Sequence, residues 1–136
     1  MRKLFSTKTS ESALSFALLV LRVGAGSAML MNHGLDKLIH FSQKAGGFAD
    51  PFGLGSTASL SMTIFAEFFC AVFIILGLFT RLAAIPLIIN MAVALFMAHN
   101  GDFFGKGELA GLFLVCFITL LFTGAGKISL DRFLAK

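Results

Sequence analysis

Arg22, Glu67 and Asn90 each stand alone inside a long apolar run, and that isolation marks them as the first candidates for chemistry. A charged side chain at the centre of a bilayer costs about 2.5–3.5 kcal/mol on insertion scales, so it must face the interior of a bundle and find a partner. Measured from the ends of the apolar runs, all three lie at a similar depth, with Cys116 at that depth in a fourth run. The expectation is an inward-facing Arg22–Glu67 ion pair, with Asn90 as a further hydrogen-bond partner. Such a pair either fixes helix register or floors a polar pocket for a ligand or a proton.

A second set gathers toward one end of the same runs. Arg22, Gly26, Met29 and His33 fall at i, i+4, i+7 and i+11, on one helical face, and Lys37 follows His33 by four. His99 ends the third run and Glu108 opens the fourth, sharing a face with Leu112, Val115 and Thr119. His33, Lys37, His99 and Glu108 are therefore expected to converge at an outer mouth above Arg22 and Glu67. Two imidazoles, an ammonium and a carboxylate suit a carbonyl or phenolic headgroup, with an apolar tail between helices. The competing reading is a solvated rim of ordinary salt bridges.

Other chemistries find little support. His33, His40 and His99 match no metal-binding spacing such as His-Glu-x-x-His, and no metal is assigned. Cys70 and Cys116 form no Cys-x-x-Cys pair and read as small buried hydrophobes. The stretch from Gly124 to Ser129 suggests a phosphate loop, but Leu121 stands where that motif needs a glycine. The chain carries no flavin motif and no mid-depth histidine pair for haem. It has no Tyr to act as a phenolic acid.

The elements that hold these residues follow from composition. Of 136 residues 57% are hydrophobic and 13% charged, against roughly 45–50% and about 25% in soluble domains. Mean hydropathy is +0.92. One domain of this length cannot bury so much apolar surface by itself, so lipid must solvate much of it. Four runs approach the roughly 20 residues that span a bilayer core: 13–31, 60–79, 82–98 and the shorter 109–123. They are apolar on all sides, as helices in lipid are, and lack the alternation of barrel strands. The expected fold is all-α: a single membrane domain over 1–136, a four-transmembrane-helix bundle with a long extracytoplasmic loop between helices one and two. That loop, 32–59, should begin as a short interfacial helix and return as a lid on the bundle. Residues 129–136 should form an interfacial helix capped by Ser129.

Basic residues orient the bundle. Arg2, Lys3, Lys8, Arg81, Lys127, Arg132 and Lys136 fall on one side, and Lys37, Lys44 and Lys106 on the other. The bias predicts both termini in the cytoplasm of a bacterial-type inner membrane. The net charge of +4 serves this orientation and implies no nucleic-acid partner.

Four stretches, in order, resemble the DoxX family of membrane proteins. His33-Gly34-Leu35-Asp36-Lys37-Leu38 resembles its His-Gly-x-x-Lys-Leu signature, and Ala66-Glu67-Phe68 its second-helix glutamate. Residues 76–84, with Gly77, Thr80 and Arg81, resemble its hairpin motif. Residues 123–131 resemble its closing Gly-x-Gly-x-x-Ser-x-Asp, with Ala125 where proline is frequent. The resemblance implies a four-helix inner-membrane protein, related to subunits of a thiosulfate:quinone oxidoreductase and to oxidative-stress complexes. On that footing the chain is expected to be a membrane subunit serving a quinone-linked redox partner and binding a quinone-like molecule. The alternatives are a small membrane transporter or binding protein gated by Arg22 and Glu67, or a structural subunit of a larger assembly. The expected partners are the lipid bilayer and other subunits or further copies of the chain.

Overall fold

The computed structural model describes residues 3–136; Arg2, counted above among the orienting charges, lies outside the described residues. Among the described residues every regular element is helical. Three helices are long and apolar enough to cross a membrane: α1 (Glu11–Ile39), α3 (Ser56–Leu76) and α4 (Thr80–Ala98). A shorter apolar helix, α5 (Glu108–Thr123), joins them. Two helical turns, α2 (Phe41–Lys44) and α6 (Asp131–Leu134), lie in the connection after α1 and near the C-terminus.

α3 packs along both α1 and α4, α4 along α5, and α5 closes back on α1. Small residues make the approaches. A Cβ added at Gly34 would fall on the Glu67 carbonyl, so only glycine lets α1 meet the α3 backbone there. Ala66, Ala71, Ala83 and Ala84 sit in the core with Leu87, Phe117 and Leu120. The outward faces carry Val20, Leu82, Ile89, Leu112 and Phe122, all exposed, as surfaces solvated by lipid should be.

Several boundaries differ from expectation. α1 does not stop at Met31: it continues through a π-helical turn, Leu30–Gly34, and ends at Ile39. The connection from α1 to α3 shortens accordingly. Ser129 does not cap the last helix; its hydroxyl donates to the Gly126 carbonyl at 2.6 Å and closes a turn.

The expected Arg22–Glu67 pair is not formed. α1 and α3 run antiparallel, with Gly34 against Glu67 and Arg22 against Gly77. Arg22 therefore lies about 16 Å along the axis from Glu67, at roughly 1.5 Å per residue. The guanidinium, 1% exposed, instead holds backbone carbonyls. Nη1 donates to Ile75 at 2.9 Å and Ile74 at 3.3 Å, Nε to Ala125 at 3.1 Å, and Nη2 to Ile128. Ile74 and Ile75 belong to the last turn of α3, where carbonyls lack helical partners and a cation is favoured.

The rest of this knot explains two of the motifs. α3 ends in a Schellman turn: Gly77 (φ 66) donates to Ile74 and Leu78 to Phe73. A side chain at Gly77 would strike Arg22 and Ser129 as well as strain the backbone. The Asp131 carboxylate then accepts from the N–H groups of Phe79, at 2.6 Å, and Thr80, at 2.9 Å. It caps the start of α4 from far along the chain. Arg81 donates to the Phe122 carbonyl at 3.2 Å. Lys127 pairs with Glu11, which ties the start of α1 to the segment after α5.

Candidate functional site

At the opposite end the helices diverge around a cavity of about 1070 Å³. Each of the three long helices contains one π-helical stretch, at Leu30–Gly34, Phe65–Cys70 and Ala94–Ala98. All three stretches contribute lining residues: His33, then Phe65 with Ala66 and Glu67, then Ala94 with Met97 and Ala98. A π turn inserts a residue into the helical register and turns side chains that an α-helix would aim elsewhere. Pro86, also lining the cavity, removes a hydrogen-bond donor one turn before Asn90.

The polar centre is Glu67, 4% exposed and halfway along α3. Its Oε2 accepts from Lys37 Nζ at 2.5 Å, and its Oε1 from Asn90 Nδ2 at 2.8 Å. Lys37 starts about a turn beyond the level of Glu67 and reaches inward, with its stem along apolar wall. α1, α3 and α4 thus each supply one member of a neutralised triad. The His33 ring stands edge-on to Phe113 at a centroid distance of 5.8 Å, 87° between planes. Phe113 in turn stacks on Phe117 at 5.9 Å. Apart from this patch the walls are largely apolar, with Met29, Met91 and Phe113 among them.

Two further segments border the cavity. Residues 48–54 cover the cavity with Phe48, Pro51, Phe52 and Leu54. Asp50 anchors them: its carboxylate accepts from Leu54 N–H, Gly55 N–H and the Ser59 hydroxyl, at 2.8–2.9 Å. Those bonds, the Gly55 N–H foremost, hold the Asp50 carboxyl below the usual range. The loop after α4 brings His99 and Lys106 to the cavity. Met62, Phe65, Ile89 and Met97 line the cavity and are each more than half exposed, so it is open along the α3–α4 side.

Of the sequence candidates, His33, Lys37, Glu67, Asn90 and His99 come together here; Arg22 and Glu108 do not. Arg22 belongs to the knot at the other end. Glu108 starts α5 on the stripe of Leu112, Val115 and Thr119, and that stripe is exposed. Its charge favours the N-terminal end of α5 instead. A gate built from Arg22 and Glu67 is therefore not formed. The sequence reading missed Lys106, whose place in a glycine-rich loop gave no sign of direction. It also missed the Asp50 anchor, although Asp50 before Gly53, Gly55 and Ser59 carries the mark of an Asx-type turn.

The chain matches the DoxX family model over residues 17–100. It is 34% identical over 113 residues to an uncharacterized protein of Haemophilus influenzae, covering 76% of this chain and 81% of that one. It is 29% identical over 123 residues to an uncharacterized membrane protein, Rv3486, of Mycobacterium tuberculosis, covering 79% and 76%. No solved structure matches it.

Proposed function

The chain belongs to the DoxX family of membrane proteins, and from that premise we propose that it is a four-span inner-membrane subunit that binds a quinone-like amphiphile for a redox partner. The observation that carries this reading is the largely apolar cavity with a charged and amide cluster, Glu67 with Lys37 and Asn90, at mid-helix depth. The residues present suit such a molecule. Lys37 keeps N–H groups beyond the one given to Glu67 and can donate to a headgroup carbonyl. His33 and Asn90 flank the same patch, and the tail would lie along Met62, Phe65 and Ile89 toward lipid. A quinone, when bound, accepts electrons. The chain's own part is to hold the ring, exclude water beneath residues 48–54, and keep Glu67 and Lys37 within reach of its oxygens. The partner subunit supplies the electrons.

Native mass spectrometry of the protein released from its own membranes should report a co-purifying prenylated quinone. Titration of the delipidated protein in nanodiscs with a short-prenyl benzoquinone should saturate at one site. Asn90→Leu should weaken that binding about tenfold, near 1.4 kcal/mol. Absence of any bound amphiphile, together with no saturable titration, would overturn the reading.

The same proposal places both termini in the cytoplasm and the cavity mouth outside. With Cys70 and Cys116 replaced by alanine, a membrane-impermeant maleimide should label Ala45→Cys and Phe104→Cys in intact cells. Ser6→Cys and Ala135→Cys should react only after permeabilisation. Labelling of Ser6→Cys from outside would reverse the orientation.

A further inference from the structure

The cavity has two borders of opposite character, and helix packing explains the difference. Phe65–Cys70 and Ala71–Leu76 of α3 lie against Thr80–Val93 of α4. Beyond that contact the two helices take different neighbours. Ser56–Ile64 packs on Leu35–Ile39 of α1, and Ala94–Ala98 packs on α5. α4 carries both features that bend helices, Pro86 and its π-helical stretch. The gap left between α3 and α4 is flanked by Met62 and Phe65 on one side and by Ile89 and Met97 on the other, each lining the cavity and more than half exposed. Ser61 beside them turns its hydroxyl back to the Thr57 carbonyl. The other border carries the polar groups of Asp50, His99 and Lys106. Depth decides what reaches the gap. Glu67 and Asn90 lie near the middles of α3 and α4. At about 1.5 Å per residue, Met62 stands roughly 7 Å above Glu67 and Met97 roughly 10 Å above Asn90. The hydrocarbon core extends about 15 Å from its midplane. The gap therefore opens among acyl chains, in the leaflet on the cavity's side.

We propose that this gap is the ligand's way in: the cavity is filled sideways from that leaflet and takes an amphiphile dissolved in the membrane, not one dissolved in water. The proposal rests on the reading that the cavity binds an amphiphile, and adds the route. Met62, Phe65, Ile89 and Met97 keep an apolar tail among apolar groups all along the path. The polar border would make the tail cross water, and each methylene moved from lipid into water lowers the population about fourfold. A tail of five such groups meets a barrier of roughly a thousandfold on that side. Met62 and Met97 are unbranched, and such side chains yield to a passing ring.

The test follows binding rates of a short-prenyl benzoquinone to the whole protein in nanodiscs by stopped flow. The chain contains no Trp and no Tyr, so Leu109→Trp, on α5 at the cavity wall, supplies a sole indole for a bound quinone ring to quench. In that background, Met62→Phe with Ile89→Phe narrows the gap and should slow entry and exit together, by about tenfold. Met62→Ala with Ile89→Ala widens it and should speed both several-fold. Matched changes in entry and exit are the mark of a passage, because a residue that only touches the ligand changes mainly its exit. Both side chains face outward, so the fold is retained. Phe52→Ala opens the polar border instead. Entry that responds to Phe52→Ala and ignores Met62 and Ile89 comes from water and overturns the proposal. Rates unchanged in every variant also overturn it, while leaving the cavity reading standing. A second copy seated over the gap would appear in native mass spectrometry as a dimer that the Phe variants split, and would overturn the lipid route. Absence of saturable quenching in Leu109→Trp, together with no saturable titration of the unsubstituted protein, would remove the cavity reading itself, and the route with it.

Discussion

Arg22→Met is expected to destabilise the protein by about 3–5 kcal/mol, because several buried carbonyls lose their donor together. The guanidinium serves carbonyls on both the last turn of α3 and the segment after α5. Each buried carbonyl left without a donor costs about 1–3 kcal/mol. Arg22→Lys should recover little, because an ammonium is a point donor and cannot span carbonyls from two segments as the planar fork does. Thermal unfolding in a mild detergent, followed by circular dichroism, measures both. A loss below about 1 kcal/mol for Arg22→Met would show that water can replace the guanidinium, a surface-like result. Combining Arg22→Met with Glu67→Gln should give additive losses, because the two residues serve separate clusters. A coupling above about 0.5 kcal/mol would return Glu67 to the Arg22 neighbourhood.

The second large effect belongs to Lys37 and Glu67, and it should be asymmetric. Lys37→Met removes the cation from a carboxylate that is 4% exposed, and about 3–5 kcal/mol should be lost. Glu67→Gln keeps the shape and an acceptor for Asn90. The freed Lys37, only partly buried, can turn toward the end of α1 where water is close. Its cost should be smaller, near 1–2 kcal/mol. The double variant should be more stable than Lys37→Met alone, since no buried charge is then left unpaired. Urea or thermal unfolding of the three variants gives the cycle. If Lys37→Met and Glu67→Gln cost the same and simply add, the pair does not carry the energy its geometry implies.

The inward stripe of α1 was legible from residue spacing. Arg22, Gly26, Met29, His33 and Lys37 do turn to the interior, and the last three of these that can reach the cavity line it. The partner of Arg22 was not legible, for two physical reasons. Depth was measured from the ends of apolar runs, but α1 carries Asn32, Asp36 and Lys37 within its helix and ends eight residues past Met31. That shifts its register against α3. And the acceptors are backbone carbonyls, which every residue owns and no side-chain inventory reveals. The π turn at Ala94–Ala98 is equally silent, since nothing distinguishes it in composition from the α-helix beside it. Glu108 was misplaced because a carboxylate at a helix start has a local reason to be there that needs no cavity.

The knot around Arg22 also constrains how the chain is made. Arg22 precedes the Ala125 carbonyl by 103 residues, and the Asp131 carboxylate is synthesised 51 residues after the Thr80 N–H it caps. The early helices therefore enter the membrane with a buried cation half-served and a hairpin uncapped. The segment after α5, made later than any of them, completes both. A chain interrupted anywhere before Gly124 leaves those groups without these partners. The segment after α5 thus acts as a late clasp, and the helices before it are locked together only once it has covered a single arginine.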